Sequence, residues 1–209
     1  MIRSIVLIAP VLLLAGCGET EQVDEVPSVD APGQADAVPP APPAGAGQTE
    51  AVGNVRYRSA YGEFGLELCT QLSEQVEEGT GGTWRCPGRD GTALFVQSGD
   101  GRFDLDAGVD NDRFQSIGAF NEIADTIEYR SANDELFAII FRYRDVTPGN
   151  GGRTVLAVEK VGRDGAPGCR VAQIGGGEAD ANGQAQTIAD RRAASFDCAN
   201  DPVIVGNAR

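Results

Sequence analysis

The sequence predicts an α+β fold that is mainly antiparallel β, with a six- to seven-stranded sheet and one C-terminal helix packed on it. Several short segments after residue 53 alternate apolar with polar residues, which is the two-residue period of a half-buried strand. Short glycine-rich turns separate these segments and favour antiparallel pairing. One segment near the C-terminus instead has the helical spacing of three and four residues.

The first predicted strands lie between residues 64 and 107. Alternation of apolar and polar residues over 64–69 predicts a strand, and Glu77–Gly82 has the composition of a turn. A second strand follows over 92–97. Residues 102–107 predict a third strand, with Phe103, Leu105 and Ala107 on one face and Arg102, Asp104 and Asp106 on the other. The second of these faces is polar.

The central strand is predicted over Leu136–Phe141, because this run is continuously apolar and such runs are typical of strands buried on both faces. A strand over 125–130 precedes it. A glycine-rich turn over 147–152 leads back into a strand over 154–161, and the last strand is predicted over 169–174.

The helix is predicted over Asn182–Phe196, where the apolar residues recur at helical spacing. Either Asp180 or Asn182 suits the position that caps its first turn. We expect Ile188 and Phe196 to pack against the sheet, and the segment over 201–205 to be extended.

The N-terminal residues predict export and attachment to a membrane. Arg3 precedes an apolar run over 5–14, which is the order of a signal peptide and is too short to span a bilayer. Leu13-Leu14-Ala15-Gly16-Cys17 resembles the lipobox of bacterial lipoproteins. This resemblance implies cleavage after residue 16 and lipidation of Cys17, which would hold the protein in a lipid bilayer. Gly18 in the next position implies the outer membrane, with the protein facing the periplasm.

Residues 17–53 would then be the lipidated cysteine and a disordered linker. Residues 18–53 contain six prolines, seven acidic residues, many alanines and no basic or aromatic residue, so they cannot bury enough apolar surface to fold. The folded domain is predicted over 54–209.

The remaining cysteines predict two disulfides. With Cys17 lipidated, an even number of cysteines is left in an exported chain, namely Cys69, Cys86, Cys169 and Cys198. Three pairings are open, and we favour Cys69–Cys86 with Cys169–Cys198, because each joins neighbours in the sequence. No two of the four have the close spacing of a zinc knuckle, so we predict no metal site.

Composition restricts the function. The chain contains no histidine, which excludes Ser-His-Asp and Cys-His nucleophiles and imidazole ligands of zinc. Residues 54–209 hold 16 basic and 24 acidic residues, a charge that disfavours nucleic acid and favours a basic partner.

Three groups of residues have features of ligand sites. The run of Asp100, Asp104, Asp106, Asp110 and Asp112 invites calcium but does not follow an EF-hand, and we favour a polar strand face followed by a solvated turn. Gly175–Gly177 lacks the lysine and hydroxyl of a phosphate loop and is interpreted as a connector.

The third group consists of arginines on predicted strands. Arg130, Arg142 and Arg144 could bind an acidic ligand. The alternative, which we favour, is ion pairing with neighbouring acids, namely Glu128, Glu135 and Asp145.

Several motifs resemble an uncharacterised family of exported bacterial lipoproteins. They are Trp84-Arg85-Cys86-Pro87-Gly88, Gly99-Asp100-Gly101-Arg102-Phe103, Ile127-Glu128-Tyr129-Arg130, Cys169-Arg170-Val171-Ala172 and Phe196-Asp197-Cys198. The family has no assigned activity, so the resemblance implies location and fold only.

We therefore expect a membrane-anchored envelope lipoprotein with a non-enzymatic binding domain, no cofactor, and a basic envelope protein as its partner. Two alternatives stay open. One is a hydrolase that uses two carboxylates. The other is a protein that resembles lysozyme inhibitors in architecture, although their Ser-Gly-x-x-Tyr motif is not found here.

Overall fold

The computed structural model describes residues 55–75, 81–149, 151–163 and 165–209, which belong to one compact unit. The predicted signal peptide, Cys17, the linker and the domain start at Asn54 lie outside these residues and stay predictions. Within the described part, no helix has the length and apolar character needed to cross a membrane.

The described residues form eleven strands and one α-helix. The first five strands are β1 (Tyr57–Glu63), β2 (Thr70–Gln75), β3 (Gly81–Pro87), β4 (Ala93–Gly99) and β5 (Arg102–Ala107). They are followed by β6 (Asn121–Ile123), β7 (Thr126–Ala132), β8 (Glu135–Asp145), β9 (Thr154–Lys160) and β10 (Cys169–Gly175). The chain ends with α1 (Ala181–Arg192) and β11 (Val203–Val205).

These strands form two sheets. The larger sheet has seven strands in the order β1-β7-β8-β9-β10-β11, with β6 also paired to β8. Its pairs are antiparallel except β10 with β11. The smaller sheet is an antiparallel meander of β2, β3, β4 and β5. The predicted fold class is therefore confirmed, whereas the second sheet was not predicted.

Strand β8 lies at the centre of the larger sheet, and both of its faces are buried. Ile139, Phe141 and Tyr143 pack in the core that contains the apolar residues of the smaller sheet. Ala138 and Ile140 point to the opposite face and pack in the core that contains the helix. The domain thus has three layers, because a continuously apolar strand needs cover on both sides.

The helix begins where the sequence predicts. Asp180 caps it, since its Oδ1 accepts a hydrogen bond from the backbone N–H of Gly183 at 3.3 Å. Its buried face consists of small residues, Ala181, Ala185 and Ala189, whereas Ile188 and Phe196 are only partly buried against this core. The alanines allow the helix axis to approach the sheet closely.

The predicted strand over 64–69 is wrong. Leu66–Leu68 form a 3-10 turn, in which the N–H of Cys69 donates to the carbonyl of Leu66 at 3.0 Å. Strand β2 begins only at Thr70. The Cys69–Cys86 disulfide joins this turn to β3, so tertiary context overrides the alternating pattern.

The structure contains two disulfides, Cys69–Cys86 and Cys169–Cys198, which form the pairing that the sequence favours. The second fastens the segment after the helix to the start of β10. The paired cysteines are 17 and 29 residues apart in the sequence. A disulfide that closes a loop of this size stabilises the folded state by about 3 kcal/mol, because it restricts the unfolded chain.

Two glycines allow the sheets to meet at one corner. The N–H of Gly162, after β9, donates to the carbonyl of Ala107, the last residue of β5, at 2.7 Å. Gly108 has φ of +84°, and a Cβ there would lie 2.1 Å from the carbonyl oxygen of Gly162. Only glycine fits such an approach, which brings the end of β5 beside β9.

Candidate functional site

A group of ionisable side chains is buried between the two sheets around one arginine. We define the Arg170 cluster as Arg170, Glu159, Asp104, Asp106 and Tyr143. Arg170 Nε donates to Glu159 Oε2 at 2.9 Å, and Arg170 Nη2 donates to Asp104 Oδ1 and to Tyr143 OH, each at 3.1 Å. The guanidinium also lies 5.2 Å from the ring centre of Phe141, within reach of a cation–π interaction.

The strands explain how these residues meet. Glu159 and Arg170 are paired in the register of β9 and β10 and point to the same face of the larger sheet. Asp104 and Asp106 alternate with Leu105 on β5, which the glycine corner brings beside β9. The chain that follows β5 then covers both aspartates: the N–H of Gln115 donates to Asp104 Oδ2 at 2.6 Å, and Asn111 Nδ2 donates to Asp106 Oδ1 at 2.6 Å.

The carboxyl groups of the cluster have raised pKa values. Burial, reinforced by the negative charge of Asp104, raises the pKa of Asp106 to about 7. Burial also raises the pKa of Asp104, against the opposing effect of Arg170. The pKa of Glu159 lies well above its usual range because burial outweighs the attraction of Arg170. Three carboxyl groups share one guanidinium, so full ionisation would leave two negative charges without a counter-ion.

A raised carboxyl pKa is typical of catalytic acids, but this cluster is closed to substrates. The side chains of Arg170, Glu159 and Asp104 are 0%, 1% and 2% exposed. Asp106 is 2% exposed as well. A substrate cannot reach groups buried to this extent. The hydrogen bond from Arg170 in the larger sheet to Asp104 in the smaller sheet joins the two sheets.

The acidic run over 100–112 is divided by the structure. Asp104 and Asp106 are buried, so the polar face that the sequence predicts for this strand is covered by other residues and does not face solvent. Asp100 pairs with Arg102 at 3.1 Å, and Asp110 accepts from Gln97 Nε2 at 3.1 Å. Across the described ranges, no three Asp, Glu or Cys side chains form a group that could hold a metal ion.

A second group of acidic side chains surrounds an open groove of about 430 Å³. We call it the acidic groove. Its apolar walls are formed by Phe64, Leu66, Phe103 and Ile123. Around these walls lie the charged residues, namely Glu67, Glu122, Asp125 and Arg144.

Local structure explains why apolar side chains remain open here. The 3-10 turn over Leu66–Leu68 leaves Leu66 partly buried and Leu68 55% exposed. Strand β6 is only three residues long and pairs with the end of β8, so Ile123 is also only partly buried. The N–H of Phe64 donates to the carbonyl of Asp125 at 2.9 Å and joins the two sides of the groove.

The residues that line the groove carry a net negative charge. Glu67, Glu122 and Asp125 are all exposed, and Arg144 is the one cation that lines the groove. Arg144 Nη2 lies 3.5 Å from Asp125 Oδ1, and both side chains are about half exposed or more, so the pair is weak. A groove with apolar walls and more acidic than basic residues around them is complementary to an apolar ligand that carries positive charge.

The three arginines considered from the sequence have different partners. Arg130 binds Asp190 through both carboxylate oxygens, at 2.7 and 2.5 Å, and lies 3.8 Å from Glu128. Arg144 lies beside Asp125, as described above. Arg142 has neutral partners, Thr154 and Asn182. Ion pairing is therefore right for Arg130 and Arg144, but only Glu128 was correctly named, because Glu135 and Asp145 pair with Arg163 and Arg153.

Gly175 is the last residue of β10, and Gly176 and Gly177 lie in the segment that connects this strand to α1, in agreement with the interpretation as a connector. Sequence reasoning missed both the Arg170 cluster and the acidic groove. The groove combines residues from four separated segments, which no local pattern joins. A weak signal for the cluster was present: Glu159 is the single acid of one predicted strand and Arg170 the single basic residue of the next, and both strands are mostly apolar.

Comparison with known proteins adds no assignment. The chain matches no protein-family model, and neither curated proteins nor solved structures give a significant match.

Proposed function

We propose that this chain is an outer-membrane lipoprotein whose folded domain binds a basic envelope protein and carries out no catalysis. The observation that carries the binding part is the acidic groove, an open apolar surface with three exposed carboxylates around it. The anchoring part depends on the lipobox-like sequence that ends at Cys17.

The apolar walls of the groove provide affinity for a partner. Monomeric proteins bury most large apolar side chains, and apolar concave surfaces with a few polar groups are the usual binding sites. Here Leu66, Phe103 and Ile123 stay partly exposed beside a fully folded core. A partner that inserts an apolar side chain would remove this surface from water.

The charges of the groove select the kind of partner. Glu67, Glu122 and Asp125 would attract lysine or arginine, and the net negative charge of the whole domain extends this attraction to longer range. A basic protein with an apolar side chain between its cations fits both features. Nucleic acid and anionic lipid head groups carry the same negative charge as the groove and would be repelled by it.

Binding is tested by titrating the full-length protein with two probes, lysozyme and a synthetic peptide of alternating lysine and leucine. We expect binding that weakens with salt and falls about fivefold in the Glu67→Gln/Glu122→Gln variant, since each exposed ion pair contributes about 0.5 kcal/mol. Asp134→Asn/Asp201→Asn is the matched control, with the same loss of charge elsewhere and no expected effect on affinity.

Equal affinity of the groove variant and the parent chain would contradict the groove as the binding site. The lysozyme titration also distinguishes a lysozyme inhibitor from a protein that binds another basic partner. Binding with loss of lysozyme activity would favour the inhibitor alternative, and binding of the peptide alone would favour another basic partner.

The anchor is tested separately. Mass spectrometry of the chain purified from membranes should show a mature N-terminus at Cys17 with attached acyl groups, and Cys17→Ser should release the protein into the soluble fraction. A mature chain that retains residues 1–16, or an unmodified Cys17 in a membrane-bound protein, would contradict lipidation.

A further inference from the structure

Arg142 differs from the other arginines that are at least partly removed from solvent. Five such arginines occur in the described residues, and four of them pair with a carboxylate: Arg102 with Asp100, Arg130 with Asp190, Arg153 with Asp145 and Arg170 with Glu159. Arg142 has no carboxylate within 4 Å among the described residues. A half-buried charge without a counter-ion is unfavourable, and this favours an anionic ligand beside it.

The guanidinium of Arg142 is held in position by neutral groups. Its Nη1 donates to Thr154 Oγ1 and its Nη2 donates to Asn182 Oδ1, both at 2.9 Å. Gly176 leaves room for it, since a Cβ at this position would lie 2.9 Å from Nη1. An arginine has five N–H donors in a rigid fork, so fixing two of them leaves others oriented for a ligand.

Arg142 lines a small cavity of about 240 Å³ between the end of β8 and the start of α1. Arg144 lines the same cavity and lies two residues further along β8, hence on the same face. Burial, together with the positive charge of Arg144, lowers the pKa of Arg142. Asp125, 3.5 Å from Arg144, offsets only part of this charge because both side chains are exposed, and an anion beside Arg142 would relieve the remaining repulsion.

The cavity also has a negative side. Glu128 and Asp125 both line it. Glu128 Oε1 accepts hydrogen bonds from Ser59 and from Gln186, whereas its Oε2 has no hydrogen bond to the described residues. A simple anion would therefore meet repulsion from these two acids. A ligand with one anionic and one cationic group would satisfy both sides.

We infer that this cavity binds a small zwitterion of the free amino-acid class. The ligand's carboxylate would accept hydrogen bonds from the guanidinium of Arg142, with Arg144 beside it. Its ammonium group would face Glu128 and Asp125. The cavity shares Asp125 and Arg144 with the acidic groove, whereas Arg142 and Glu128 line only the cavity, so substitution of Arg142 tests this site and not the groove.

The test is calorimetric titration of the full-length protein with three probes: L-alanine, acetate and methylammonium. We expect saturable binding of alanine, weaker binding of acetate and none of methylammonium. Arg142→Gln should lower the affinity for alanine about tenfold or more, since it removes a charged donor pair. Arg58→Gln, at an exposed pair with Asp134, is the matched control and should leave the affinity unchanged.

Arg142→Lys keeps the charge without the planar fork and should give an intermediate affinity, which keeps the test valid if the glutamine variant is unstable. Absence of alanine binding, or unchanged affinity in both Arg142 variants, would overturn the inference. Acetate bound as tightly as alanine would overturn the assignment to a zwitterion. Glu67→Gln/Glu122→Gln should bind alanine normally, so failure of this site and failure of the acidic groove can be told apart.

Discussion

The Arg170 cluster and the acidic groove are both built from carboxylates, and they differ in access to water. In the cluster, Asp104 and Glu159 are sealed between two sheets and depend on one guanidinium and on backbone donors. In the groove, Glu67 and Glu122 lie in solvent. Removal of a charge from water costs several kcal/mol unless partners replace the water, whereas an exposed charge has no such cost. The same residue type therefore maintains the fold in one place and is free to meet a partner in the other.

The largest effect should come from loss of the central guanidinium. Arg170→Met leaves Asp104 and Glu159 buried without a counter-charge, and we expect the free energy of unfolding to fall by about 3–5 kcal/mol. The measurement is equilibrium unfolding in urea at neutral pH.

Arg58→Met is the control for this substitution. Arg58 makes an exposed pair with Asp134 at 2.8 Å, and its loss should cost less than about 1 kcal/mol. Adding Glu159→Gln and Asp104→Asn to Arg170→Met should recover part of the lost stability, because the unpaired charges are removed. Similar costs for Arg170→Met and Arg58→Met would contradict the structural role of the cluster.

How much of this was visible in the sequence depends on the range of the interactions. Local patterns predict the buried central strand, the helix cap at Asp180 and the glycine connector. The disulfide pairing agrees with the preference for cysteines that are neighbours in the sequence. The burial of Asp104 and Asp106 does not follow, because an alternating strand predicts two faces but not what covers them. Their cover, Arg170 and the chain over 108–120, lies far away in the sequence or in an irregular segment.

The acidic groove was even harder to predict from the sequence than the Arg170 cluster. Leu66 and Leu68 have the spacing of a strand, and only the disulfide to β3 and the 3-10 turn leave them partly open. Phe103 and Ile123 belong to different sheets. The groove exists because the two sheets end at this point, and that is a property of the tertiary structure.

A smaller effect should appear in the pH dependence of stability. Asp106 has a pKa of about 7 in the folded protein, against the usual value of 3.8, so the folded state retains a proton that the unfolded state loses. Stability should therefore decrease as the pH rises from about 4 to about 7, by at most about 4 kcal/mol for a shift of about three pKa units at 1.4 kcal/mol per unit. Asp104 and Glu159, with raised pKa values, act in the same direction.

Urea unfolding of the parent chain and of Asp106→Asn at several pH values from about 4.5 to 7.5 measures this effect. The asparagine cannot ionise, so the variant should show a shallower loss of stability with pH. Asp134→Asn, at an exposed acid, should keep the slope of the parent chain. Stability that rises with pH across this range would contradict a protonated carboxyl group in the cluster.

The smallest effect on stability should come from the groove. Glu67→Gln/Glu122→Gln changes only exposed side chains and should alter the free energy of unfolding by less than about 0.5 kcal/mol. Thermal or urea unfolding checks this value. A large loss of stability would mean that the groove acids support the fold, and the contrast with the Arg170 cluster would then be wrong.

Amide hydrogen exchange of the full-length protein, with and without the lysine–leucine peptide, tests most directly where a basic partner binds. We predict that the peptide slows exchange over residues 64–68 and 121–125, the two sides of the acidic groove, and that this protection decreases in Glu67→Gln/Glu122→Gln. Protection confined to other segments, such as α1, or equal protection in the variant would contradict the groove as the binding surface.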